Sequence, residues 1–278
     1  MTLIYQWPTN PVTTNPHGSR IHADIAMSST VLLGQVGSGL HGVTTGNDDR
    51  DEMGVCIEGP EFVTGLSRFD QYIYRTQAEG VRSGAGDLDL TVYSLRRWAA
   101  LAAAGNPTVL LLAFIPPEEI VIQTDVGRDI QAHPERWLSR EAALRFGGYL
   151  VSQRDQLLGL KSKKHTNRPE LVETLGFDTK FAYHMVRLGL QGVELLTTGR
   201  VTLPMPPVER KWLQELRRGE HTQEEALDWA ADLLDQLNQL AEIADLPAQP
   251  DRGAIDRWLT DTYVSWWEQH GLIGGRHG

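Results

Sequence analysis

Residues 30–57 read TVLLGQVGSGLHGVTTGNDDRDEMGVCI, and the fold turns on how they are parsed. Thr30–Val36 is a short apolar run ending at a glycine, which suits a buried strand. Asp49–Ile57 suits a second strand, with Val55 and Ile57 on alternate positions. Between them, Gly37-Ser38 opens a turn that can present backbone N–H groups to a phosphate. Asp49 and Asp51 stand two apart on the second strand, so their side chains share one face. Two hard oxygen ligands beside a phosphate cradle suit Mg²⁺ held by carboxylates and substrate phosphates.

The same glycines also fit a rival pattern. Gly37, Gly39 and Gly42 spell G-x-G-x-x-G after a strand, and Glu58 lies at a plausible distance for a ribose contact. That dinucleotide fold needs a full crossover helix before the next strand. The residues available, VTTGNDDRDEMG, hold Gly46, Asn47 and a run of carboxylates with almost no apolar face. Glycine in a helix interior costs about 1 kcal/mol, and nothing here offsets it. The alternating strand–helix pattern is also missing downstream. A P-loop is excluded because no G-K-[ST] follows the glycines.

Further along, Gln71–Thr76 and Leu88–Tyr93 read as a hairpin around the Gly/Ser-rich AEGVRSGAGD. In it, Leu88-Asp89-Leu90 places a third carboxylate between apolar residues, and Asp87, on the same face, competes for that role. Upstream, a short helix is expected near Ile21–Met27. Ser94 caps a helix ending at Gly105, and Asn106-Pro107 opens a second apolar helix through Phe114. After the break at Ile115-Pro116-Pro117 the pattern is helical almost throughout: 140–158, 179–197, 207–218, 223–244 and 252–270. The last carries Ile255, Trp258, Leu259, Thr262, Tyr263, Trp266 and Trp267 at helical spacing, a core stripe. Strands followed by helices give an α+β chain.

Lys180, His184 and Arg187 fall at i, i+4 and i+7 of the 179–197 helix, a cationic face that either invites phosphate, with His184 as a third charge if its imidazolium is the binding form, or is a solvated stripe. Phe181, Met185, Leu188 and Gly192 are left to pack inward. A basic loop, Lys161 to Arg168, is either a guide for an RNA acceptor or a solvated loop. His41 is either a substrate contact or a turn residue.

The 278 residues are 41% hydrophobic, so the chain folds around a sizeable core. A net charge of −10 argues against a surface that coats nucleic acid broadly, though not against a local groove. The lone Cys56 excludes an internal disulfide and reads as a core residue; the histidines show no zinc spacing. No apolar run is long enough to span a membrane, and the N-terminus lacks the plan of a signal peptide. A cytoplasmic location is therefore expected.

The ordered segments VGSGLHGVTTGNDDRDEMGV, DLDLTVYSLRRWAALAAAGNPTVLLLAF, FDTKFAYHMVRLGLQGVELLTTG and EEALDWAADLLDQLNQLAEIADLPAQPDRGAIDRWL resemble the DNA polymerase β superfamily of nucleotidyltransferases. Within it, the chain is similar to predicted nucleotidyltransferases associated with RNA ligases. Composition and pattern divide the chain into an arm at 1–29, a strand-bearing unit at 30–116 and a mostly helical domain at 117–278, and the resemblance implies that 30–116 is a mixed-sheet catalytic core. It also implies transfer of a nucleoside monophosphate from a triphosphate to a hydroxyl acceptor, with RNA leading and protein or a small molecule as alternatives. A nucleotide-binding module without turnover and a dinucleotide-binding oxidoreductase are the readings from other classes. By position, Gly37 and Ser38 would touch the triphosphate. Asp49 and Asp51 would bind both of two Mg²⁺ or Mn²⁺ ions, and Asp89 the catalytic one. Arg50 departs from the pattern, since the middle of D-x-D is usually apolar or aromatic.

Overall fold

Period-two alternation in the strands decides which side of the sheet carries the carboxylates. In the computed structural model, which describes residues 5–8, 15–46, 48–78, 81–160 and 168–274, α1 (Arg20–Ser29) leads into β1 (Thr30–Val36). A short helix α2 (Gly37–His41) comes next, then β2 (Arg50–Cys56), the short α3 (Pro60–Val63), β3 (Gln71–Arg75) and β4 (Leu88–Ser94). The strands form a mixed sheet in the order β3-β4-β2-β1, with a fifth strand, β5 (Ile120–Gln123), beside β1. β2 and β4 run parallel and the other pairs antiparallel.

Leu33, Cys56, Leu90 and Val92 point to one face and pack with Ala23 and Ala26 of α1 and with Phe69, Tyr72 and Tyr74. Met53 and Val55 point to the other face, as Asp51 must by alternation, and join the larger core under the helices. Those helices are α4 (Leu95–Ala103), α5 (Asp125–Ala132), α6 (Glu141–Leu157), α7 (Pro169–Leu175), α8 (Thr179–Thr198), α9 (Pro207–Arg218), α10 (Gln223–Ile243) and α11 (Arg252–Gln269). The α+β reading holds, and Cys56 is a buried core residue. Among the described residues, no helix is long and apolar enough to cross a membrane.

The long helix α8 is bounded chemically at both ends. Asp178 accepts from the Lys180 and Phe181 amides (3.0 and 3.2 Å), and Gly199 ends the helix in the left-handed region. Phe181, Met185, Leu188 and Gly192 do pack inward. At Gly192 an added Cβ would lie 2.8 Å from Phe146 of α6 and from Leu237 of α10, so the three helices meet there only because the side chain is absent.

Two expectations are refined and the rival fold is removed. The segment after Pro117 is helical almost throughout, and within it Ile120–Gln123 forms a strand that pairs antiparallel with β1. Asn106 does cap the next turn, accepting from the Thr108 and Val109 amides, but that turn is a 3-10 helix over Val109–Ala113. All five of its residues are buried, so it has no polar face to present as an α-helix would. The dinucleotide fold is excluded: β1 and β2 are antiparallel and no crossover helix joins them. Glu58 is fully buried, and it accepts from Tyr263 Oη at 2.8 Å and, through its carbonyl, from Trp267 Nε1 at 2.9 Å. It clasps α11 to the core rather than reaching for a ribose. Most of the basic loop, 161–167, and residues 79–80 of the hairpin loop lie outside the described residues.

Candidate active site

Asp51 stands directly across from Asp89 in the parallel β2–β4 register, and across from Val36 on β1. Asp49 sits just before β2. Oxygens of Asp49, Asp51 and Asp89 approach within 4.8 Å of one another, close enough for one cation to bridge. Burial pushes the Asp51 carboxyl up to about 6, and the charges of Asp49 and Asp89 add to it against the pull of Lys180. Crowded carboxylates of that kind fit a divalent ion, whose charge would relieve their repulsion. Asp87 is not among them: it is half-buried and accepts from Thr76 Oγ1 and the Gly84 amide, both at 2.9 Å, closing the β3–β4 loop.

Asp89 has protein partners of its own. Arg75, its cross-strand neighbour on β3, donates Nε to Oδ1 at 2.9 Å. Ser83 donates to Oδ2 at 3.0 Å while accepting from Arg75 Nη2 at 2.9 Å. Arg50 turns away from the carboxylates, half exposed, and donates Nε to Glu52 Oε1 at 2.6 Å. The departure from an apolar residue thus falls on the far face of β2.

Gly37 has φ +71°, and an added Cβ would lie 1.9 Å from Asp51 Oδ2. The turn therefore lies directly against the carboxylate. Ser38 uses its hydroxyl proton on Asp48 Oδ1 (3.0 Å), leaving its backbone N–H at the helix start without an intrahelical partner. Asp48 is a site residue that sequence spacing does not single out. It also accepts from the Thr45 amide and hydroxyl and from both terminal nitrogens of Arg217 on α9, each at 3.2 Å. Burial alone would raise the Asp48 carboxyl, but the Thr45 amide, the Arg217 charge and two hydroxyls hold it below its ordinary range. A cue exists in the sequence, since an Asp three residues after Thr45 can tie its own loop. The Arg217 pairing has none.

Across from the sheet, α8 brings Lys180, His184 and Arg187 to the same cavity of about 490 Å³ that Gly37, Ser38, Asp49, Asp51 and Asp89 line. The cationic face is two charges, not three. Burial, then Arg187 and Lys180, hold the His184 ring well below its usual pKa, so it is neutral. Burial also lowers Lys180, helped by Arg168 and Arg217. Arg187 donates Nη1 to Gln191 Oε1 at 2.7 Å and to His41 Nε2 at 3.1 Å. Burial, with Arg187 beside it, keeps His41 neutral and thus an acceptor. His41 is buried in the turn after β1, borders the same cavity, and orients the arginine. Among the described residues no carboxylate pairs with Arg187.

A carboxylate cluster at the mouth of two strands, a glycine turn against it and a facing cationic helix border one cavity, and the family to which the chain belongs makes it a nucleotidyltransferase. The chain belongs to the RlaP family, described as the RNA repair pathway DNA polymerase beta family, whose sequence profile matches residues 18–261. A nucleotidyltransferase-like protein from Exiguobacterium sibiricum 255-15, with a crystal structure at 1.90 Å, is similar at 10% identity, over 79% of this chain and 71% of its own, with a TM-score of 0.27. No curated protein matches in sequence.

Proposed function

We propose that the protein transfers a nucleoside monophosphate from a nucleoside triphosphate to a hydroxyl of an RNA acceptor. The observation that carries this is that Gly37, Ser38, Asp49, Asp51, Asp89, Lys180, His184 and Arg187 all border one cavity. The family description, with its RNA repair pathway, supports RNA as the acceptor. Asp49, Asp51 and Asp89 would hold the two divalent ions, Mg²⁺ or Mn²⁺. Once bound, such ions lower the pKa of the attacking hydroxyl and neutralise the leaving pyrophosphate. Arg187, a buried cation without a carboxylate, receives the polyphosphate, and Lys180 adds a point charge. The neutral His184 offers a hydrogen bond rather than charge. Asp48 and Arg217 keep the Gly37-Ser38 turn fixed against α9, so the backbone N–H groups meet the phosphate without rearrangement.

The deciding experiment supplies purified protein with each α-labelled nucleoside triphosphate, Mg²⁺ or Mn²⁺, and total RNA or protein extract. Label is expected in RNA. Label in protein or in a small molecule would replace the acceptor, and no transfer with any triphosphate would remove the proposal.

Arg187→Ala is expected to weaken triphosphate binding about 10- to 100-fold, and monophosphate binding far less, as loss of a charge-assisted hydrogen bond predicts. Titration calorimetry checks it. Because His184 is neutral in the free protein, His184→Ala should not lose affinity preferentially at low pH, contrary to what an imidazolium would give. Equal loss for mono- and triphosphate in Arg187→Ala would place the arginine on the nucleoside or the acceptor.

A further inference from the structure

Tyr183 is almost fully buried and lines the cavity that holds the carboxylates, yet its hydroxyl has no hydrogen-bond partner among the described residues. One turn on, Arg187 Nε is likewise buried and unpartnered. The two groups are i and i+4 on α8, so they project from the same side of the helix. The Arg187 and Arg217 guanidinium carbons lie 5.8 and 5.4 Å from the centre of the Tyr183 ring. The ring is therefore in contact with both the arginine that borders the cavity and the one that holds Asp48.

A buried hydroxyl and a buried guanidinium N–H left without acceptors destabilise a fold unless something completes them. Arg187 can only donate, and the Tyr183 hydroxyl, which can donate or accept, has a proton to give to the same acceptor. What completes them is therefore an acceptor, and beside a cation an anionic oxygen is favoured. Ser38, which the resemblance assigns to the triphosphate, has its hydroxyl proton on Asp48. We infer that Tyr183 is a further substrate-binding residue, whose hydroxyl and the Arg187 Nε–H together bind an oxygen of the nucleotide's polyphosphate. This rests on the nucleotidyltransferase reading above.

The test is Tyr183→Phe, which keeps the ring in contact with the two arginines and removes only the oxygen. Binding of inorganic tripolyphosphate with Mg²⁺ is measured by titration calorimetry on wild type, Tyr183→Phe and Arg187→Ala, alongside thermal melts without ligand. Tyr183→Phe should melt at or above the wild-type temperature, since it discards an uncompleted buried hydroxyl, and should bind tripolyphosphate about 10-fold or more weakly. A variant that melts several degrees lower with affinity intact would show the hydroxyl serving the fold, and would overturn the inference. So would one unchanged in both measurements. In either case a weakened Arg187→Ala leaves the nucleotide reading standing. If wild type and both variants bind tripolyphosphate equally poorly, the nucleotide reading falls together with this inference.

Discussion

Asp51→Asn is expected to reduce nucleotidyl transfer by about 10³-fold or more and, in the metal-free protein, to raise the melting temperature. The first effect arises because a bound divalent ion stabilises transition-state charge by several kcal/mol, and each 1.36 kcal/mol is tenfold in rate. The second arises from the crowded carboxylates. The Asp51 carboxyl stands at about 6 in the folded protein, against the 3.8 of its unperturbed state. Between those values the folded chain keeps a proton that the unfolded chain has released. Metal-free stability therefore falls as pH rises from about 4 to about 6, and the full penalty applies at neutral pH. With screening in an open cavity it is roughly 1–2 kcal/mol, or several degrees in melting temperature for a chain of this size. The variant's advantage should vanish below about pH 4. Mn²⁺ should raise the wild-type melting temperature and leave Asp51→Asn unmoved. Asp89→Asn should kill transfer without the gain in stability, because Arg75 already balances that carboxylate and would be left alone. Asp87→Asn should retain transfer, being tied to the hairpin loop instead. An Asp51→Asn protein with near-normal turnover would sink the carboxylate assignment.

That contrast between Asp87 and Asp89 shows what a sequence can and cannot carry. Both lie on one face of a strand by counting, and only the β2–β4 register, a pairing of residues far apart in the chain, selects Asp89. The strands β1, β2, β3 and β4 are legible because each combines an apolar run or alternation with flanking glycines and polar turns. The helices α6, α8, α9, α10 and α11 are legible from 3.6-residue periodicity over long spans. β5 is not, since four half-buried residues at a sheet edge carry no periodic signal of their own. The short α5 and α7 escape for a similar reason. In the site, local spacing exposes the residues that touch the cavity. The groups that hold them come from distant sequence: Arg217 meets Asp48 across 169 positions, and Gln191 meets His41 across 150. The helix face also reads as charged throughout, because charge state depends on burial, which spacing does not reveal. His184 and His41 are neutral for that reason.

Gly37→Ala is expected to cost about 10²-fold or more in transfer and a few degrees in melting temperature, although it adds a single methyl group. Two separate penalties act. At φ +71° an L side chain is strained by about 1–2 kcal/mol, which sets the loss in stability. The methyl carbon would also lie 1.9 Å from Asp51 Oδ2 and 2.7 Å from its Cγ, so the carboxylate must swing away from Asp49 and Asp89. A displacement of about 1 Å in a catalytic group costs on the order of 10² in rate. Because the second penalty acts through Asp51, it should not add to the loss from Asp51→Asn. The double variant should be no slower than Asp51→Asn alone, a non-additivity that separate effects on a shared rate would not give. The methyl should also abolish the Mn²⁺-induced rise in melting temperature while leaving far-ultraviolet circular dichroism unchanged. Ser38→Ala, one residue on, should lower melting temperature through the lost bond to Asp48 and leave the Mn²⁺ response in place. If Gly37→Ala transfers at the wild-type rate, the turn has room to move, and the close approach of Gly37 to Asp51 is not what fixes the carboxylate's position.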